Sequence, residues 1–141
     1  MSVQMVLLPL IAQVLLTFFV GFVMAFRARQ AFAGGLRWQD LVSGKKQMPA
    51  FAAQASRAYT NLLELPVLFY VLVVLALLTR QADILFVVLA WTFVVARALQ
   101  AYVHVTSNHV PTRGAFFGIG ALVLFVMWLI YIVRILSLPW A

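Results

Sequence analysis

Residues 54–83 read QASRAYTNLLELPVLFYVLVVLALLTRQAD. From Gln54 to Thr79 the stretch is dominated by large apolar residues, and Arg80-Gln81-Ala82-Asp83 closes it with a polar turn. At ~1.5 Å of rise per residue, a helix of that length crosses a hydrocarbon core about 30 Å thick. A second apolar stretch follows at once, from Ile84 to Ser107, and Asn108 to Pro111 forms another short turn. Thr112 is placed to cap the next apolar stretch, which ends near Ser137. Connections this short join only antiparallel neighbours. Upstream, Met1 to Phe26 contains no charged side chain. Its neutral start and long apolar run distinguish it from a cleaved signal peptide, so it reads as a retained helix with Pro9 as a candidate kink.

Composition sets the solvent. The 141 residues are 66% hydrophobic and only 9% charged, with a mean hydropathy of +1.08. Such a chain cannot cover its own surface with polar groups in water, so lipid is the solvent that fits. The expected fold class is all-α: a transmembrane four-helix bundle forming one integral membrane domain over residues 1–141, with spans about 3–33, 52–79, 84–107 and 112–137. There is no cysteine, which excludes disulfides, a thiolate nucleophile and a thiolate metal site. A net charge of +7 points to anionic headgroups and small anionic substrates rather than nucleic acid.

Orientation follows from the distribution of cations. Arg27, Arg29, Arg37, Lys45, Lys46 and Arg57 lie in or beside the first loop, whereas the turn at 80–83 holds only Arg80. The positive-inside rule places the first loop and the 108–111 turn in the cytoplasm and both termini outside.

Two charges stand where lipid disfavours them. Glu64 and Arg97 lie inside apolar spans, where an ionisable group costs about 3 kcal/mol or more and marks function by default. Each is roughly 23 Å along its helix from the outer turn, so the two are level and an ion pair is expected. Around them run polar stripes at helical spacing. Gln54, Arg57, Asn61, Glu64 and Leu68 share one face. Phe93, Arg97, Gln100, His104 and Asn108 share another, and Arg113, Phe117 and Gly120 begin a third. One reading is a structural seam of interhelical hydrogen bonds. The other is a site, favoured by the excess of cation: Arg57, Arg97 and Arg113 face a single carboxylate, and an anion carrying two carboxylates would satisfy them through bidentate pairing. His104 and His109, five apart at one helix end, are badly placed to hold haem, so neither haem nor metal is expected. Trp38, Trp91, Trp128, Trp140 and Tyr131 read as packing or interfacial anchors, and Gly118 and Gly120 as points of close helix packing.

The run Arg57-Ala-Tyr-Thr-Asn61-Leu-Leu-Glu64-Leu-Pro66, with Arg97 late in the third helix and Arg113 opening the fourth, resembles the membrane-associated proteins of eicosanoid and glutathione metabolism, in a bacterial-type branch. The resemblance covers essentially the whole chain, most securely residues 54–120. It implies a homotrimer of four-helix bundles in the bacterial inner membrane, with glutathione as co-substrate between subunits near the cytoplasmic face. It also implies that Arg57, Asn61, Glu64, Arg97, Gln100 and His104 form the glutathione-binding set, with Glu64 meeting the peptide's amino group and arginines its carboxylates. Arg113 resembles the arginine that stabilises the glutathione thiolate. Gln100 and His104 stand where the prostaglandin synthase branch has a histidine and a tyrosine, and Gly114 and Phe117 where it has a serine and a tyrosine. The family's first-helix arginine corresponds to Arg27 or Arg29. The expected activity is a glutathione-dependent transferase or peroxidase acting on lipophilic electrophiles or hydroperoxides. The alternative is a non-catalytic scaffold or anionic-lipid-binding protein of the same fold.

The orientation is directly testable. A cysteine introduced at Ser43 is expected to react with a membrane-impermeant thiol reagent only after the cytoplasmic face is opened. Labelling in intact cells would reverse the topology.

Overall fold

The structure, a computed structural model, describes residues 1–140. The expected all-helical fold is the one observed: four helices long and apolar enough to cross a membrane, in an order that adds one short helix. These are α1 (Val3–Ala33), α2 (Trp38–Ser43), α3 (Ala50–Leu78), α4 (Ile84–Val105) and α5 (Val110–Leu136). The six-residue α2, inside the basic loop, is the element that hydropathy does not reveal.

Local chemistry sets the helix ends. The Ser2 hydroxyl accepts from Met5 N–H at the start of α1, and the Asp83 carboxylate accepts from Phe86 N–H at the start of α4, each satisfying a donor left free in the first turn. Thr112 does not cap α5. That helix begins at Val110 with His109 in the cap position, and the Thr112 hydroxyl lies 2.8 Å from His109 Nδ1 instead. Pro9 and Pro66 sit inside α1 and α3, and both are buried. In the 80–83 turn Arg80 takes a left-handed conformation (φ 56°). The turn is clamped by Arg134 from the far end of α5, which contacts Asp83 Oδ2 at 2.8 Å and donates to Gln81 O at 3.2 Å. The Arg134 guanidinium holds the Asp83 carboxyl below the usual carboxylate range.

The bundle is apolar both inside and out. Phe69, Leu72, Val73, Phe86, Phe93, Leu124, Met127 and Tyr131 form the central core, with Phe69 and Phe93 stacked at 4.7 Å between centroids. A second, smaller core of Val20, Ala58, Leu62 and Ala101 joins α1, α3 and α4 nearer the loop end. Outside these cores, Phe18, Phe19, Phe22, Leu122 and Phe125 face outward, as lipid-facing positions should. Together with the four apolar helices, this makes the chain an integral membrane protein.

Two glycines set close approaches. A Cβ at Gly120 would meet Arg97 Cδ at 3.4 Å, and one at Gly21 would meet the Tyr59 ring at 3.0 Å. Gly118, expected to act like Gly120, faces open space. Neighbouring contacts are extensive between α4 and α5 and between α1 and α3, but sparse between α3 and α5. That gap positions the site described next.

Candidate functional site

The gap between α3 and α5 widens toward the 106–109 turn into a cleft of about 740 Å³. From α3 it is lined by Arg57, Thr60 and Asn61. From α4 come Gln100 and His104. Asn108 of the turn and Val110, Arg113, Gly114 and Phe117 of α5 complete it. Helical spacing of three and four brings these residues to one side of each helix. Five of the seven residues expected to form the site, namely Arg57, Asn61, Gln100, His104 and Arg113, therefore share one cleft.

Arg97 lies beneath that cleft. It is 1% exposed, the largest fully buried side chain of the protein. Its Nη1 donates to Gln100 Oε1 at 2.6 Å and its Nη2 to the Asn61 carbonyl at 2.7 Å. The guanidinium sits 5.6 Å from the centroid of the Phe117 ring, within the range of a cation–π contact. Its Nε has no partner. One side chain thus joins α3, α4 and α5 just under the cleft floor.

The expected Glu64–Arg97 ion pair does not form. The ion pairs among the described residues are Lys46–Asp40 and Arg134–Asp83. Residue counting placed Glu64 and Arg97 at the same depth, but it did not fix their partners. Arg97 is buried in the bundle, while Glu64 is exposed, on the same stripe of α3 as Arg57, Asn61 and Leu68. The polar seam is instead a guanidinium held by neutral acceptors. Glu64 does not line the cleft.

At the cleft mouth Arg113 is half-buried, and its Nη1 donates to Asn108 Oδ1 at 2.7 Å. Asn108 has φ 51°, a left-handed conformation that asparagine tolerates better than most residues. This turns its amide toward the first turn of α5. Arg57 is exposed on the opposite wall. Gln100 and His104 are 4% and 2% exposed, and His104 Nε2 has no hydrogen-bond partner. The cleft is therefore rich in donors and cations, with no carboxylate in its lining. Chemically, it suits an anion with several oxygens, and a thiol bound near Arg113 would be driven toward its thiolate. No three His, Cys, Asp or Glu side chains gather as metal ligands among the described residues.

Neither candidate arginine of the first helix lines the cleft. Arg27 donates to Phe51 O at 3.0 Å and to Val105 O at 2.7 Å, tying α1 to the ends of α3 and α4. Arg29 is exposed. Sequence reasoning missed three contributors. Phe117 covers Arg97, Asn108 orients Arg113, and Thr60 lines the wall. The polar stripes included Phe117 and Asn108, but nothing in their spacing separated partner from bystander.

Beyond the cleft, the same gap continues as an apolar groove of about 490 Å³, lined by Leu65 and Leu68 of α3 and by Ala121, Leu124, Phe125, Trp128 and Ile132 of α5. On α3, Asn61 of the cleft is followed one turn later by Leu65 of the groove. On α5, Phe117 is followed one turn later by Ala121. Cleft and groove are thus two ends of one furrow, cationic at the loop end and apolar at membrane depth.

Among comparisons with known proteins, the model of the MAPEG family matches residues 6–133, nearly the whole chain. No curated protein and no solved structure matches.

The pairing is testable by double-mutant cycles on unfolding in detergent. Coupling between Arg97→Ala and Gln100→Ala is expected at about 1–3 kcal/mol, the range for a hydrogen bond to a charged group. Coupling between Arg97→Ala and Glu64→Gln is expected below about 0.5 kcal/mol. The opposite ranking would restore the ion pair.

Proposed function

The chain belongs to the MAPEG family, and on that premise we propose that it is a glutathione-dependent membrane transferase or peroxidase acting on lipophilic electrophiles or hydroperoxides. The family includes such enzymes as well as other members. The observation that carries the reading is the furrow between α3 and α5. Its cationic end fits a peptide with two carboxylates, and its apolar continuation fits a water-insoluble partner. One binding site then spans two solvents and brings together molecules that would otherwise partition apart.

In this reading Arg57 binds a glutathione carboxylate, and Asn61, Gln100 and His104 supply polar contacts around the peptide. Arg97 acts from below, its buried charge favouring an anion in the cleft and its hydrogen bond fixing the Gln100 amide. Arg113, held by Asn108, stabilises the thiolate. In the transferase reaction the sulfur attacks an electrophilic carbon. A sulfur–carbon bond forms, and either a leaving group departs with the electron pair or a proton from water quenches the new carbanion. In the peroxidase reaction the sulfur attacks the terminal peroxide oxygen and the oxygen–oxygen bond breaks. An alcohol leaves, and a second glutathione reduces the resulting sulfenic acid to give the disulfide and water.

Assembly as a homotrimer is part of the proposal, and the exposed Glu64 supports it. A carboxylate left exposed in the middle of a span costs about 3 kcal/mol, which a neighbouring copy would relieve by bringing a cation or a bound ligand's ammonium against it. The basic loop supports a cytoplasmic cleft with both termini outside, in a bacterial inner membrane. A scaffold reading is favoured by one observation only: both terminal nitrogens of Arg97 are already bonded within its own chain, so its burial does not by itself require a ligand.

Arg113 separates enzyme from scaffold. Arg113→Ala is expected to lower turnover by about 10²-fold or more, the usual scale for loss of one charge-stabilising group, while glutathione affinity changes little. Arg57→Ala should weaken binding first. The ultraviolet absorbance of the bound thiolate, titrated against pH in both variants, reports this directly. Absence of a thiolate band near neutral pH in the wild type would overturn the activation mechanism.

A further inference from the structure

The loop between α1 and α3 carries a surface that the proposed chemistry leaves unused. On α2, Trp38 and Val42 are four residues apart and therefore share one face. They are 64% and 79% exposed. Asp40 and Leu41 are only partly exposed. A helix of six residues spans about 9 Å, far short of a bilayer, so α2 stands at the end of the spans, at headgroup depth. Tryptophan concentrates at that depth because its ring is amphipathic.

Around this apolar face the charge is one-sided. Arg29, Arg37, Lys45 and Lys46 are all exposed, and Asp40 is the only acidic residue between Arg27 and Pro49. The Asp40 carbonyl accepts from Lys46 N–H at 3.3 Å, which folds the lysine pair back beside α2. The Lys46 ammonium is only 4.0 Å from Asp40 Oδ2, with its side chain 61% exposed, so its charge remains available. Lys46 also borders a cleft of about 550 Å³ whose rim carries the amides of Gln30 and Gln47 and whose walls include Leu36, Pro49 and Phe51. Amide and ammonium donors above apolar walls match a phosphate attached to a glyceride.

We propose that the 27–49 segment is a docking surface for anionic phospholipid, with α2 lying in the interface on Trp38 and Val42, and with Arg37, Lys45 and Lys46 holding the headgroup. The surface is independent of the α3–α5 furrow and stands whether or not the chain is an enzyme. A basic cluster beside an interfacial apolar face discriminates anionic from zwitterionic lipid through charge and gains its depth from the apolar contact.

The absence of cysteine makes the test clean, because Val42→Cys creates a single labelling site on an exposed side chain. The variant is labelled with a bimane fluorophore and placed in phosphatidylcholine nanodiscs. Each sample contains the same mole fraction of either brominated phosphatidylglycerol or brominated phosphatidylcholine. Quenching by the brominated phosphatidylglycerol is expected to be about twofold stronger or more. Adding Arg37→Gln, Lys45→Gln and Lys46→Gln is expected to remove the excess while leaving quenching by the brominated phosphatidylcholine in place. Equal quenching by the two lipids would overturn the headgroup preference, and an excess surviving the triple change would overturn the assigned residues. No quenching by either would show that α2 stands off the bilayer. Loss of the excess on addition of inorganic phosphate at constant ionic strength would assign the cluster to a free anion instead of a lipid.

Discussion

A guanidinium is buried among membrane-spanning helices without a carboxylate against it, and the rest of the site is built around that constraint. Inserting an arginine at such depth costs about 2.5–3.5 kcal/mol on insertion scales. Two hydrogen bonds to a charged group, at about 1.5–3 kcal/mol each, offset that cost. Arg97 has two of that kind, to Gln100 Oε1 and to the Asn61 carbonyl. The first bond lies within α4 and the second crosses to α3, so one of the contacts that hold the charge also fixes α3 against α4. Phe117 and the bare Cα of Gly120 bring α5 against the same side chain. The balance is stable but leaves the positive charge without a carboxylate in direct contact.

That residual charge and the sparse α3–α5 contact have linked consequences. Because α5 is braced on α4 through Arg97, it does not need to close against α3, and a furrow remains between them. Its loop end has Arg57 and Arg113 on opposing walls with Arg97 below. Its deeper part is lined by leucine, phenylalanine and tryptophan. The polarity gradient along the furrow follows the gradient of the bilayer. Under the proposed function, a water-soluble and an apolar reactant would meet there without either leaving its preferred solvent. The 106–109 turn orients a cation at the mouth of the furrow, since the left-handed Asn108 aims its side-chain oxygen at Arg113.

Much of the fold was legible because hydropathy at membrane scale is a coarse, strong signal. Four apolar runs had few alternatives once water was excluded as solvent. The short α2 was not legible, since six residues in a basic loop leave no periodicity to read. Within the site, spacing placed Arg57, Asn61, Gln100, His104 and Arg113 on coherent stripes, and those stripes do meet at one cleft. What spacing could not supply was the pairing. Glu64 and Arg97 were matched in depth, yet one is exposed and the other buried. Arg97 took neutral acceptors: the Gln100 amide one turn along its own helix and the Asn61 main-chain carbonyl of α3. The role of Phe117 was hidden for a related reason. As a departure from the resembled pattern it looked like a lost hydroxyl, whereas its ring covers the guanidinium.

The central claim is that the cationic end of the furrow is a glutathione site. Equilibrium dialysis of radiolabelled glutathione against the detergent-solubilised protein, repeated at rising salt, tests it most directly. Saturable binding that weakens with salt and is displaced by a glutathione analogue retaining both carboxylates, but not by its diester, is the predicted result. Absence of saturable binding, or equal displacement by the diester, would contradict it.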